Sequence, residues 1–172
     1  MKYVPNAPEL VKIKYRKARI YYDYNHFEDA VKLFRDIVEK HAGDELAIYS
    51  ANLMLDSLNV LKRPSDVIAW VDKFMKMPEL MKDAEFQKQM VEIKTDSLVM
   101  EAKKYETEKN FKECGISMLA AAESLPDHPK HHERLYDAGL CFTKARLIGQ
   151  AIGVRETPVS YTHLTLPTTP YV

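Results

Sequence analysis

The apolar residues between positions 10 and 153 recur at spacings of three and four, and the breaks in this pattern are short. That spacing is typical of amphipathic α helices, whereas a half-buried strand alternates every second residue. The first apolar face includes Ile13, Ile20 and Tyr24, and a turn around residues 24–26 separates this helix from the next. The pattern therefore predicts a series of short antiparallel helices joined by tight turns.

The same arrangement of helix, tight turn and helix recurs three more times along the chain. Pro64 suits the start of a helix, because the N–H that proline lacks is not needed in the first turn. The predicted helical segments after the first pair are 47–61, 66–77, about 78–108, 111–125, 129–145 and one that begins near 148.

An internal repeat underlies these helix pairs. Equivalent positions near the start of the second helix lie 37, 47 and 37 residues apart, at Ala30, Val67, Cys114 and Ala151. Large side chains recur in the first helices, at Tyr21, Leu58, Tyr105 and Phe142. Two antiparallel helices approach closely where both present small side chains, and large neighbours then fill the grooves. Because one pair cannot bury both of its faces, the pattern favours an array of stacked pairs.

Two of the repeats carry a recognisable motif. It reads Ala18-x-x-Tyr21 with Phe27-x-x-Ala30-x-x-x-Phe34, and Ala102-x-x-Tyr105 with Phe111, Ala121 and Pro126. These residues resemble tetratricopeptide repeats, a family of helix-turn-helix units of about 34 residues. The resemblance implies an all-α fold, an antiparallel helix-pair solenoid of about three and a half repeats wound as a right-handed superhelix. The longer middle interval predicts an insertion around residues 78–90 that lengthens a helix or adds a small one.

The resemblance also divides the chain. The expected parts are an N-terminal lead-in at 1–10, a repeat domain at 11–153 with repeats near 11–44, 48–81, 95–128 and 132–153, and a tail at 154–172. The tail is rich in Thr and Pro and has no charged residue from Pro158 onward. It resembles peptides translated from sequencing-adaptor read-through, so we expect a non-native, irregular or disordered segment; a genuine Thr/Pro-rich tail is the alternative.

Charge and hydropathy restrict the partners and the location. The chain carries 25 basic and 25 acidic residues, so its formal net charge is zero and gives no overall attraction for nucleic acid or anionic membranes. No stretch reaches the roughly 18 uncharged apolar residues of a membrane span, and the N-terminus does not read as a signal peptide. We expect a cytoplasmic protein by default, with the periplasm or cell envelope left open if Met1 is not the natural start.

Candidate chemistry is sparse. The chain has no phosphate-binding glycine loop, no H-E-x-x-H and no C-x-x-C motif, so we expect no enzyme, no cofactor and no small-molecule substrate. His128 and His132 have the spacing of helical metal ligands, but an exposed turn is the favoured interpretation and no metal site is predicted. Cys114 and Cys141 are expected to be buried free thiols rather than a disulfide.

The first helix suggests a binding surface. Five of the eight residues 12–19 are basic, with tyrosines interleaved. One face of this helix is the face that tetratricopeptide repeats turn inward to form a concave groove, and the same offsets extend it into the later repeats. The predicted groove residues are Lys12, Tyr15, Arg19, Tyr22, Tyr49, Asn52, Asp56, Asn59, Lys103 and Tyr136.

The groove and the resemblance predict a non-catalytic scaffold that binds a peptide or protein partner. A likeness of residues 21–35 to bacterial cell-envelope repeat proteins leaves a second interpretation open. In it, the chain is a structural spacer or assembly segment of a larger envelope-associated protein, with contacts through its convex face or its ends. RNA binding through the basic first helix is a third and less favoured interpretation.

Overall fold

A computed structural model describes residues 8–155 of the chain. Within these residues the fold is all-helical, with no strand, and each helix packs against the next one along the chain. The helices are α1 (Pro8–Asp23), α2 (Phe27–Lys40), α3 (Glu45–Val60), α4 (Pro64–Phe74), α5 (Ala84–Thr107), α6 (Phe111–Ser124), α7 (His131–Lys144) and α8 (Ile148–Arg155), with a short 3-10 helix at Leu80–Lys82. Most of the predicted tail lies outside the described residues.

Four tight turns join the helices in pairs, as the periodicity predicts. In the first turn the N–H of His26 donates to the carbonyl of Tyr21 at 2.8 Å, and the N–H of Asn25 donates to that of Tyr22 at 2.9 Å. This pair of bonds defines a Schellman motif, which requires a left-handed residue after the helix. The left-handed residues are Asn25, Lys62, Lys109 and Arg146, with φ of 61°, 56°, 60° and 61°. They lie 37, 47 and 37 residues apart, the same intervals as in the sequence pattern.

The insertion predicted around residues 78–90 has both expected effects. It adds the 3-10 helix, whose Leu80 is buried, and it lengthens α5 to 24 residues. The helix does not begin at residue 78 as predicted. Asp83 starts it instead, because its carboxylate accepts the N–H of Phe86 at 2.9 Å and so caps the first turn.

Small residues allow the close packing that the repeat predicts. Ala18 of α1 and Ala30 of α2 are completely buried in the first core cluster. Gly115 of α6 lies so close to α7 that an added Cβ would be 2.6 Å from the ring of Phe142. The apolar core forms one cluster from residue 11 to residue 90 and a second from 102 to 154. Between them, α5 buries the hydroxyl side chains of Thr95 and Ser97.

Polar contacts join neighbouring helix pairs side by side. Tyr22 of α1 donates to Asp56 of α3, and Lys73 of α4 bonds Glu39 of α2 at 2.5 Å. Lys144 of α7 bonds Glu106 of α5 at 2.6 Å. First helices therefore contact first helices, and second helices contact second helices, across adjacent pairs.

The prediction for the apolar face of the first helix is wrong. Ile13, Ile20 and Tyr24 are exposed, and α1 turns Val11 into the core together with Ala18, the small residue that the repeat predicts to pack. The helix carries apolar residues on two faces, and periodicity alone does not tell which of them meets α2.

The expectation of free thiols is also wrong. Cys114 of α6 and Cys141 of α7 form a disulfide, with their Cα atoms 5.9 Å apart. Both side chains are buried in the second core cluster. The sequence spacing gave no signal of the pairing, because stacking of two different helix pairs brings the cysteines together.

We expect Lys62→Gly to raise the free energy of unfolding by about 0.5–1 kcal/mol, since the left-handed conformation penalises a residue with a Cβ and not glycine. Urea denaturation followed by circular dichroism measures this change. Lys62→Ala is the matched control and should leave stability nearly unchanged. A loss of stability in the glycine variant would contradict the left-handed turn.

We expect reduction of the disulfide to lower the free energy of unfolding by about 3 kcal/mol, because the bond closes a loop across 27 residues in the unfolded chain. Urea denaturation with and without a reductant measures the difference. A Cys114→Ala, Cys141→Ala double variant should show no effect of the reductant. Two reactive thiols in the denatured, unreduced protein would contradict the disulfide.

Candidate functional site

A cleft lies between α3 and α5. It consists of two adjoining pockets of about 390 and 360 Å³, which share Asn52 and Gln89. The α3 wall contains Glu45, Ile48, Tyr49, Asn52, Leu55, Asp56 and Asn59. The α5 wall contains Asp83, Glu85, Phe86, Gln89, Glu92 and Ile93. We call this feature the α3–α5 cleft.

Four predicted groove residues line the cleft together. Tyr49, Asn52, Asp56 and Asn59 lie three or four positions apart, so they share one face of α3. Tyr49 and Asp56 are exposed, and the two asparagines are half-buried.

Sequence reasoning missed the opposite wall of the cleft. Most of it belongs to the first turns of α5, which the insertion adds, whereas Glu92 and Ile93 lie at the repeat positions of Glu45 and Leu46. Glu85, Gln89 and Glu92 there follow the same spacing of three and four, which was the available signal. The groove residues were predicted from equivalent positions in each repeat. Glu85 and Gln89 lie in the insertion and have no equivalent in the other repeats, so this prediction did not include them.

The cleft is acidic. The carboxylates that line it are Glu45, Asp56, Asp83, Glu85 and Glu92, and no Lys or Arg lines it. None of these five carboxylates forms a salt bridge among residues 8–155. Two of them accept hydrogen bonds from the protein, Asp56 from Tyr22 and Asp83 from the N–H of Phe86. Uncompensated charges in a concave surface attract ligands of the opposite sign.

The predicted groove residues of α1 lie beside the cleft and are engaged with one another. Arg19 donates to Asp23 at 2.8 Å, and its guanidinium lies 5.4 Å from the ring centroid of Tyr22. Tyr15 is half-buried against Phe34, with ring centroids 6.0 Å apart. Tyr22 connects this group to the cleft through its bond to Asp56, and this bond, with burial, raises the pKa of the phenol. Lys12 is exposed.

The last two predicted groove residues lie outside the α3–α5 cleft. Lys103 belongs to α5 and Tyr136 to α7, and neither lines the α3–α5 cleft. Nearby on α7, burial raises the pKa of Asp137, helped by the charges of Glu133 and Glu106. The ten predicted residues therefore divide into an α1 group, a cleft group and a pair beyond the cleft.

Arg134 of α7 is a buried charge that sequence reasoning did not single out. Its Nη2 lies 3.8 Å from Oδ1 of the exposed Asp96, and its Nη1 has no hydrogen-bond partner. A distant ion pair and an unsatisfied N–H make this residue a source of instability rather than a binding group.

The histidines of the turn at residues 128–132 make local contacts within the chain. The Nδ1 of His128 accepts the N–H of Lys130 at 3.0 Å, and the ring of His132 packs edge-on against that of His131, 5.2 Å away. Residues 8–155 contain no group of three or more His, Cys, Asp or Glu side chains that could hold a metal ion. None of the helices in this range is long and apolar enough to cross a membrane.

Because of the bond from Tyr22 to Asp56, we expect the free energy of unfolding to fall as the pH rises into the alkaline range. A folded-state pKa raised above the ordinary value of 10.0 gives stability that is present below pH 10 and is lost as the phenol ionises at higher pH. Urea denaturation at several pH values, comparing Tyr22→Phe with the parent protein, measures this dependence. The variant should lose less stability above pH 10, and equal losses in both proteins would contradict the bond.

No protein family, curated protein or solved structure matches the chain. The resemblance to tetratricopeptide repeats therefore stays a prediction that depends on the residues that carry it.

Proposed function

We propose that this protein is a non-catalytic binding module of stacked, tetratricopeptide-like helix pairs, and that its α3–α5 cleft holds an extended, basic segment of a protein partner. The observation that carries the proposal is the set of carboxylates lining the cleft without cationic partners. A lysine or arginine side chain of the partner supplies the missing charge, and it pairs there more strongly than on a flat surface because the walls exclude part of the solvent.

The uncharged lining fits an extended peptide. Asn52, Asn59 and Gln89 each present a carbonyl oxygen and an amide N–H₂, which match the alternating N–H and C=O groups of an extended backbone. Tyr49 is 59% exposed and offers a large, stiff contact surface. Leu55 and Ile93 make part of the cleft lining apolar.

The scaffold role is supported by the repetition of local structure. The four Schellman turns and the side-by-side contacts between helix pairs hold the two walls of the cleft on packed helices rather than on loops. A preformed surface of this kind lowers the ordering cost of binding. These features also agree with the predicted solenoid of helix pairs.

The charges of α1 give little support to the RNA-binding alternative. Lys14 bonds Asp36 at 2.9 Å and Arg19 bonds Asp23, so two of the five basic residues are compensated within the protein. The adjacent cleft is acidic and would repel a phosphate backbone.

We expect a fluorescent peptide with alternating Lys and Arg to bind the protein, and binding to fall at least about tenfold in a Glu85→Gln, Glu92→Gln variant, which keeps shape and removes two charges. Fluorescence anisotropy measures the affinity, which should also fall with added salt.

The control variant is Glu123→Gln on α6, an exposed carboxylate outside the cleft, which should bind like the parent. A peptide with Glu in place of Lys and Arg should not bind. Equal affinity for both peptides, or no effect of the two cleft substitutions, would refute the proposal.

A further inference from the structure

The outer face of α1 is apolar, and none of the helices within residues 8–155 covers it. Its residues Ile13, Ile20 and Tyr24 are 62%, 57% and 74% exposed, and the exposed Lys17 lies among them. Ile20 and Tyr24 also border a pocket of about 350 Å³. Large apolar side chains grouped on one helix face usually mark a contact surface.

In α7, the helix face equivalent to the outer face of α1 is buried. The repeat intervals place Ile13, Lys17 and Ile20 at the positions of Arg134, Ala138 and Cys141. All three of these α7 residues are buried, and Cys141 is bonded to Cys114 of α6. The second helix of the preceding pair therefore covers this face.

The same face is covered in α3. The equivalent residues are Ser50, Met54 and Ser57, none of which has any exposed surface. Since α3 packs against α2, the covering helix is again the second helix of the preceding pair. Among residues 8–155, α1 has no such helix before it.

The helix at the other end of the array presents the complementary face. Ile148 and Ile152 of α8 are 56% and 49% exposed. The intervals place them at Phe111 and Gly115 of α6, the face that packs on α7. Gly115 meets the Phe142 ring there, and the Phe111 ring centroid lies 5.5 Å from Nζ of Lys144.

We infer that two copies of this chain associate head to tail, with α8 of one copy packed on the outer face of α1 of the next, as α6 packs on α7 within the chain. The contact buries the isoleucines of both faces, and Lys17 can lay its methylenes along the interface with its ammonium in water. The two surfaces differ, so the contact does not close on itself. In a dimer, one copy keeps a free α1 face and the other keeps a free α8 face. This inference is independent of the proposed cleft ligand.

Two charge variants test the contact. Ile20→Asp and Ile152→Asp each place a carboxylate where the association would bury it without a partner. Sedimentation velocity over a range of concentrations should show a rising mass for the parent chain and a constant monomer mass for each variant. A mixture of the two variants should form a 1:1 dimer and nothing larger, because one intact α1 face and one intact α8 face remain.

Ile116→Asp on α6 is the matched control, since Ile116 is 45% exposed and lies on neither face. It should associate like the parent. At a concentration where the parent is monomeric, all three variants should melt at the parent's temperature, because the substituted side chains are exposed. A parent chain that stays monomeric at every concentration overturns the inference. So does association that survives either variant, or a mixture that forms no dimer.

Discussion

The close approach of adjacent helices at small side chains is the constraint on which the rest of this structure depends. Ala18 and Ala30 are completely buried, and Gly115 leaves no room for a Cβ beside Phe142. Within each helix pair, a Schellman turn with one left-handed residue reverses the chain within three residues. Four such turns at the repeat intervals place equivalent helix faces in equivalent surroundings.

The insertion is what makes one part of this repetitive structure different. The added residues form a 3-10 helix and the first turns of α5, and they carry much of one wall of the α3–α5 cleft. The polar face of α3 thus gains an opposite wall that the repeat alone would not supply. A departure from the repeat, rather than the repeat itself, creates the candidate binding surface.

Charge is balanced over the whole chain but not over its surface. Lys40 and Lys14 hold the pKa of Asp36 below its ordinary value, because both ammonium groups bond this carboxylate. The carboxylates of the cleft have no such ion pairs among the described residues. A net charge of zero therefore hides a local field, and that field rather than the total charge bears on the choice of partner.

The all-helical fold, the pairing of helices and the position of the insertion could be predicted from the sequence, because periodicity, turn residues and repeat intervals are local properties. Half of the cleft could be predicted for the same reason, since Tyr49, Asn52, Asp56 and Asn59 share a helix face wherever that helix lies. Only the tertiary structure decided the rest. It placed part of the second wall on the inserted turns, brought Cys114 to Cys141, and left Ile13 and Ile20 exposed while Val11 became buried. These outcomes depend on which helix faces meet across neighbouring pairs, and a pattern along one helix does not contain that information.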